Sequence, residues 1–467
     1  MARKKEKLIL ENILVSDYAA EGKALARHEG KVIFITGAVP GDVADVLIIK
    51  NKKDWAEGRA VKIRTASPER ETPFCEHFGI CGGCKWQMLP YPKQLQYKEQ
   101  EALQNLRRIG RVELNEVLPI IGGDDTVHYR NKLEFTFSNK RYLLEGETPP
   151  AAGEEKGALG FHVPRIFDKV IGINHCYLMD DVNNVIRNSL RDYALENDLP
   201  FYDIRQHTGW LRNIIIRYTT TDEFMVNIVF NYEEEEQRKK LMDHLLQKVP
   251  AITTLLYTIN PKWNDSIYDL EPKVYTGKGF AMERLGDFDF KISPKSFFQT
   301  NTKQAEKLYT VAKEFAALTG NEILYDLYCG TGSIGIFLSK AAKKIIGVEV
   351  IEEAIVDAKE NAALNDIGHA HFFAGDVIKI CDDAFFAEHG RPDVIITDPP
   401  RAGMHEKLVN KLLDIAAPKI VYVSCNTATQ ARDIALLSAK YDVKKVRPVD
   451  MFPHTHHIEC VALLELK

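Results

Sequence analysis

Asn321-Glu-Ile-Leu-Tyr-Asp-Leu-Tyr-Cys-Gly330-Thr-Gly332-Ser-Ile-Gly335 is a short apolar run, a glycine-rich turn, and the start of a second apolar stretch through Ile336, Phe337 and Leu338. The order predicts strand, tight loop, helix, with glycines where backbone N–H groups must come close to a ligand. Lys344-Ile-Ile-Gly-Val-Glu349 follows as a second strand ending in an acid. That acid stands 23 positions after Asp326, the spacing at which a doubly wound sheet offers a carboxylate to a ribose diol. The last third of the chain is therefore expected to be an α/β, Rossmann-like domain that binds an adenosine cofactor.

Gly-x-Gly-x-x-Gly also fits a dinucleotide, whose pyrophosphate needs the same room. Two further strands decide between them. Asp393-Val-Ile-Ile-Thr-Asp398-Pro-Pro-Arg401 and Ile420-Val-Tyr-Val-Ser-Cys425-Asn426 both place polar groups at strand carboxyl ends, the face where an open parallel sheet binds ligands. A nicotinamide site gives no reason for an aspartate and a cysteine there, whereas S-adenosylmethionine chemistry does. Asp398-Pro-Pro is a rigid turn that aims a carboxylate, or simply a strand stop. Cys425 alone would read as a buried core thiol. Phe452-Pro-His454-Thr-His456-His457-Ile-Glu459 then puts an acid at the entry to an apolar final strand, where a carboxylate needs a partner or a task. With no second cluster of carboxylates nearby, the three histidines read as pocket-lining or phosphate-binding groups rather than metal ligands.

The chain has 467 residues, 45% hydrophobic and 27% charged, which predicts two or three domains of a soluble protein. No apolar run is long enough to span a bilayer, and the basic start Met1–Lys7 lacks the apolar core of an export signal. Eight cysteines without such a signal are expected to be thiols or metal ligands in a reducing, cytoplasmic compartment. The net charge of -5 excludes a uniformly basic nucleic-acid binder. Residues 1–64 nevertheless hold 13 lysines and arginines against 9 acids. Over residues 7–66, short alternating runs broken by glycine predict a small OB-type barrel. Lys50, Lys52, Lys53, Trp55, Lys62 and Arg64 are its candidate RNA contacts. Ser67-Pro68 to Pro73 reads as a linker.

Cys75-x5-Cys81-Gly-Gly-Cys84 places three thiols at metal-ligand spacing. Cys176 is the candidate fourth and His77 a lesser substitute. Four thiolates suit either zinc or an iron-sulfur cluster, and the residues alone do not choose. Residues 92–111 read as an amphipathic helix with Leu95, Tyr97, Ala102, Leu103, Leu106 and Ile109 as its apolar set. Arg107, Arg108 and Arg111 at its end suit the helix dipole or phosphate. Residues 125–290 mix strands with two helices, as an α+β domain. Tyr129-Arg-Asn-Lys132 is a candidate RNA contact.

The cysteine triad, Phe297-Phe-Gln299-Thr-Asn301, Asp326-Leu-Tyr-Cys-Gly-Thr-Gly, Asp398-Pro-Pro-Arg, Ser424-Cys-Asn and His457-Ile-Glu459 occur together and in order. In this the whole chain resembles the bacterial RNA uracil-C5 methyltransferases, and most closely their ribosomal RNA branch. The resemblance implies an N-terminal TRAM domain of OB type (1–66), a central domain carrying a 4Fe-4S cluster on Cys75, Cys81, Cys84 and Cys176 (67–290), and a C-terminal methyltransferase domain (291–467). The transfer RNA branch is expected to lack the first two. By matching motif, Gln299, Tyr328, Glu349 and Asp398 are the implied S-adenosylmethionine contacts, Cys425 the nucleophile and Glu459 the general base. Gln299 and Asp398 can equally hold the pyrimidine. Ser333 occupies a position that varies in the family, and Asp376 is a further candidate for the adenine. The implied reaction adds Cys425 to carbon 6 of a flipped-out uridine, methylates carbon 5, and eliminates after proton abstraction. The expected partner is ribosomal RNA, with transfer RNA as the alternative, and the expected state a monomer. A nicotinamide-dependent oxidoreductase and a noncatalytic RNA-binding protein are the rival classes. The helix at 92–111 is expected to pack on the methyltransferase domain.

Overall fold

The computed structural model describes residues 8–151 and 157–467. The basic residues Arg3, Lys4, Lys5 and Lys7, part of the N-terminal charge, lie outside them.

Alternation decides the first domain. Ile13, Val15, Ala24, Ala26, Ile33, Ile35, Ala44 and Val46 turn inward and form one core. Their strands, Ile9–Ala19, Lys23–His28, Lys31–Thr36, Val43–Asn51 and Trp55–Thr65, close into a barrel, which leaves no free sheet edge. The Lys50 ammonium lies 4.6 Å from the centre of the Trp55 ring, and Lys52, Lys53 and Lys62 are exposed. Arg64, also exposed, pairs with Asp45 at 2.6 Å. The polar stretch after residue 66 is bolted down rather than loose. Buried Asp42 accepts from the N–H groups of Val39 and Ser67 at 2.8 and 2.9 Å, and from Arg70 at 2.6 Å.

The central sheet has seven strands in the order Lys273–Thr276, Ile252–Ile259, Phe224–Phe230, Leu211–Tyr218, Lys132–Ser138, Ala158–Val163, Ile166–Gly172. Helices Val182–Glu196 and Glu235–Lys248 contribute Ile186, Leu190, Leu241, Met242 and Leu245 to its core.

The third sheet runs Ala370–Ala374, Lys344–Glu349, Ile323–Leu327, Val394–Thr397, Lys419–Ser424, Glu459–Leu466, Tyr441–Val449, Glu116–Val117. The chain enters at Ile323–Leu327, lays two strands on one side, then crosses to Val394–Thr397 on the other. Adjacent loops that part in opposite directions leave a crevice at that switch point.

The helix Tyr91–Arg108 lies against the helix Thr427–Leu437, and Glu116–Val117 extends the catalytic sheet beside Tyr441–Val449. Residues 91–121 thus sit on the layer of the third sheet, as expected for the helix at 92–111, although they fall within 67–290. The face this helix buries is Gln94, Lys98, Ala102 and Leu106, an i, i+4 row that is polar at its N-terminal end. The expected apolar set is mostly at its margins, with Ile109 exposed. Lys98 has a reason to be inside: its ammonium donates to Asp450 at 2.6 Å and to the Phe452 carbonyl at 3.1 Å. Gln94 donates to the Trp86 and Leu89 carbonyls at 3.1 and 2.8 Å and accepts from the His454 N–H at 2.8 Å. Removing one partner of such a buried pair strands the other charge, so the pair holds segment 450–454 firmly in place.

Candidate active site

Four parallel strands end on one lip of the catalytic sheet, and each delivers one group. Tyr328 and Gly330 follow Ile323–Leu327, Glu349 ends Lys344–Glu349, Asp398 follows Val394–Thr397, and Cys425 follows Lys419–Ser424. Glu459 arrives there for the opposite reason. Its strand runs antiparallel to Lys419–Ser424, so its first residue lies at the other strand's last. The register pairs Ser424 with Cys460, which sets Cys425 beside Glu459.

The glycine turn is shaped for a ligand. Tyr328 has φ +61°, and Gly330 and Gly332 have φ +52° and +77°. A Cβ on Gly332 would stand 2.9 Å from the Phe372 ring. Glu349 accepts from Gly330 N–H at 3.3 Å and Ile351 N–H at 3.1 Å, which aims its carboxylate along the turn. Asp326, fully buried, accepts only from Gly335 N–H at 2.8 Å, and its second oxygen has no partner. An orphaned buried oxygen in a glycine cradle beside a fixed carboxylate fits a cationic adenosine cofactor.

Gln299 lies in the segment before the helix Thr302–Ala316. Its carbonyl and that of Thr300 accept from the Asn131 side chain and N–H, each at 2.9 Å. Ser333 is used internally, its hydroxyl 2.9 Å from Tyr309. Asp376 caps the helix Val377–Ile380 by accepting from Ile378 N–H at 3.0 Å.

Burial pushes Asp398 up to about 7. Burial, then Asp398, holds Glu459 well above the carboxylate range, with Arg401 opposing. Two buried carboxyls in one crevice each disfavour the other's ionisation. Cys425 is pushed up to about 11 by burial and by both carboxyls, while the positive charge of the nearby Arg401 guanidinium pulls it down. Arg401 was quoted in a motif but given no role by the sequence. Its carbonyl is also held, by the Asn426 and Thr429 side chains at 3.0 and 3.2 Å. Cys425 is half-buried, whereas Cys460 and Cys329 are 0% and 6% exposed, so among these three thiols only Cys425 faces the crevice.

Burial also raises Asp326 to about 7. Both aspartates ionise near pH 4 when unfolded. Their neutral forms therefore suit the cofactor-free fold, and that contribution, complete below about pH 4, is lost as pH rises to about 7. A sulfonium cation held against Asp398 would reverse its preference. S-adenosylmethionine is expected to raise the melting temperature more at about pH 8 than at about pH 5.5, and Asp398→Asn to flatten that difference. A shift equal at both pH values contradicts this.

Cys75, Cys81, Cys84 and Cys176 are all free thiols lining one cavity of about 520 Å³, shared with Arg130, Lys132, Arg217, Phe297 and His457. Gly82, at φ +76°, turns the chain between ligands, and Gly83 N–H donates to the Cys81 sulfur at 3.4 Å. Backbone N–H groups likewise favour the thiolate at Cys75 and Cys176, against burial that raises all four and pushes Cys84 up to about 12. Among the described residues no three side chains close on a single-ion point. His77 instead accepts from Asn174 N–H at 3.2 Å. The three histidines face three different neighbours. His454 meets Gln94, His456 presses on Gly22 of the barrel, and His457 lines the cavity. Burial lowers them to about 4, 3 and 4, so they are neutral. Tyr129 is not a surface ring: it is buried and donates to the Pro453 carbonyl at 2.9 Å. Arg130 and Lys132 do line the cleft.

Residues 211–379 and 386–467 match the tRNA (Uracil-5-)-methyltransferase family, and residues 11–61 the TRAM domain. An uncharacterized RNA methyltransferase of Bacteroides thetaiotaomicron is 52% identical over 96% of this chain and 100% of its own. One from Porphyromonas gingivalis is 49% identical over 96% and 98%. The structure of Pyrococcus abyssi tRNA (uracil-54, C5)-methyltransferase with S-adenosyl-L-homocysteine is 28% identical, with a TM-score of 0.74 over 97% of this chain and 100% of that one. A transfer RNA enzyme therefore spans this architecture, so domain content does not separate the two branches. Among the described residues no helix is long and apolar enough to cross a membrane. With the switch-point crevice, the barrel and these relatives together, the chain belongs to the tRNA (uracil-5-)-methyltransferase family, as an S-adenosylmethionine-dependent RNA methyltransferase with an N-terminal TRAM domain.

Proposed function

We propose that this protein methylates carbon 5 of a uridine in ribosomal RNA, with Cys425 as covalent nucleophile and Glu459 as general base. The observation that supports it most is the antiparallel register that brings these two residues to one end of the sheet, with Arg401 against the thiol. Uracil carbon 5 is too weakly nucleophilic to attack a methyl sulfonium. Cys425, deprotonated toward the shared carboxyl pair and steadied by Arg401, adds to carbon 6 and drives the electron pair through the ring to carbon 5. S-adenosylmethionine, held by Tyr328, Glu349, Asp398 and Gln299, supplies the electrophilic methyl. Glu459 then takes the carbon 5 proton, the C5–C6 double bond re-forms, and the Cys425 thiolate leaves. Burial and the neighbouring Asp398, which raise Glu459, make its carboxylate a stronger base toward that proton. Phe297, 67% exposed at the cleft, and the barrel lysines would hold the strand from which the uridine is flipped.

Cys75, Cys81, Cys84 and Cys176 are proposed to hold a 4Fe-4S cluster. Four free thiols, Cys176 buried and the other three half-buried around one cavity, with a backbone N–H donated to the Cys81 sulfur, form the donor set such a cluster takes. When bound it would tie the 75–84 loop to the segment at Cys176. The protein is proposed to act as a monomer in the reducing cytoplasm, where such thiols survive.

The Pyrococcus relative favours a second reading, the same chemistry on transfer RNA. Tritium release from carbon-5-labelled uridine, measured on ribosomal and on transfer RNA transcripts, decides between them. Release from the ribosomal substrate alone is expected. Release only from transfer RNA replaces the assignment, and release from neither refutes uracil C5 chemistry.

A further inference from the structure

Trp263 is 77% exposed, the most exposed of the large hydrophobic side chains among the described residues. It sits in the loop between the strands Ile252–Ile259 and Lys273–Thr276. A tryptophan this exposed contributes little burial to stability. The protein nevertheless braces its loop from below. Arg212, on the strand Leu211–Tyr218 with its side chain fully buried, donates to the carbonyls of Asn260 at 2.7 Å, Lys262, and Asn264 at 3.0 Å, and to Asp265 at 2.9 Å. Its guanidinium lies 4.2 Å from the Tyr202 ring centre. Tyr202 in turn bonds His207 at 3.1 Å, and the His207 ring stacks flat under Trp263, 4.7 Å away at 5°.

Burying an arginine is costly in desolvation, and here it serves to fix the backbone of a surface loop. One face of the indole rests on His207 and the other is open to solvent. The charges flanking the ring are paired, Lys262 with Asp269 and Asp265 with Arg212, and the loop carries no unpaired cation, so the feature offers a ring rather than a positive charge. Five residues on, Tyr268 lines the cavity that also holds Arg130, Lys132, Arg217 and Phe297. The loop is therefore continuous with the cleft proposed to receive the RNA.

We propose that Trp263 is a stacking platform for an unpaired base of the RNA substrate, outside the catalytic pocket. The proposal rests on the RNA-methyltransferase reading. Stacking on a preformed ring is neutral, tolerant of sequence, and independent of counterion release.

The test compares the full-length protein with Trp263→Ala and Trp263→Phe on a labelled ribosomal RNA hairpin that the unaltered enzyme methylates. Trp263→Ala is expected to bind RNA about five-fold to a hundred-fold more weakly, with KM raised to match. The turnover at saturating RNA, the affinity for S-adenosylmethionine, and the slope of log Kd against log salt are expected to stay as they were. Trp263→Phe should recover most of the loss. Unchanged RNA affinity overturns the proposal, including the case where the variant loses only a protein partner. A lowered turnover or altered salt slope overturns it too, since either would make Trp263 a structural or phosphate-positioning residue. Failure of the unaltered enzyme to methylate any RNA would sink the functional reading and this one with it.

Discussion

Cys425→Ala is expected to abolish methylation and to form no covalent complex with RNA, whereas Glu459→Gln should abolish turnover while accumulating one. The difference follows from the steps each residue serves. Without the thiol the uracil ring is never activated. With the thiol but no carboxylate, Cys425 still adds and carbon 5 is still methylated, but the proton that must leave stays, and elimination stalls. Glutamine keeps the volume at a site only 6% exposed, so the strand Glu459–Leu466 should pair as before. The unaltered enzyme given 5-fluorouridine RNA should stall in the same way, because fluorine replaces the removable proton. Denaturing gels with labelled RNA read all three. A slow band is expected for Glu459→Gln and for the fluorinated substrate, and none for Cys425→Ala. A band that survives in Cys425→Ala would transfer the nucleophile role to another thiol, although Cys460 and Cys329 are closed off from the crevice. Arg401→Met should slow band formation without removing it, since it takes a stabilising cation from the thiol.

Anaerobically purified protein is expected to be brown, with about four irons per chain, and Cys176→Ala to lose most of them although Cys176 lies far along the chain from the other three. Metal-site affinity is also folding free energy, so the loss should reach beyond colour. Cys176 is buried beside Arg187, whose guanidinium holds the Ile173 and Asn174 carbonyls at 3.0 Å each. The variant should melt earlier and bind RNA less tightly, because Arg130, Lys132 and Phe297 line the same cavity as the thiols. Its S-adenosylmethionine affinity should change little, since the glycine turn belongs to another sheet. Stoichiometric zinc without visible absorbance would overturn the cluster assignment, and full iron retention in Cys176→Ala would remove Cys176 from the ligand set.

Local pattern carried much of this. A glycine turn, strand-end acids and a metal-type cysteine spacing are short-range features, because one strand and its following loop already dictate where those side chains emerge. Strand alternation announced the barrel for the same reason. Misreadings arose where burial depends on a distant neighbour. Tyr129 counted as a surface ring until Pro453 covered it. The helix Tyr91–Arg108 illustrates the cause most clearly. Its leucines suggested one stripe, yet the buried row is Gln94, Lys98, Ala102 and Leu106, because Asp450 and the 452–454 backbone, over 350 residues away, satisfy the polar pair.

By itself, then, the amino-acid sequence determined the doubly wound cofactor domain, the small barrel, and the identity of the thiols and acids at strand ends, all set by neighbours a few residues apart. Only the tertiary structure decided that the last strand runs antiparallel and so brings Glu459 to Cys425, that Arg401 lies against the thiol, and that a buried Arg212 holds Trp263 out to solvent. These depend on pairing and desolvation between segments tens to hundreds of residues apart, and a one-residue slip in the Ser424–Cys460 register would turn Glu459 to the other face of the sheet.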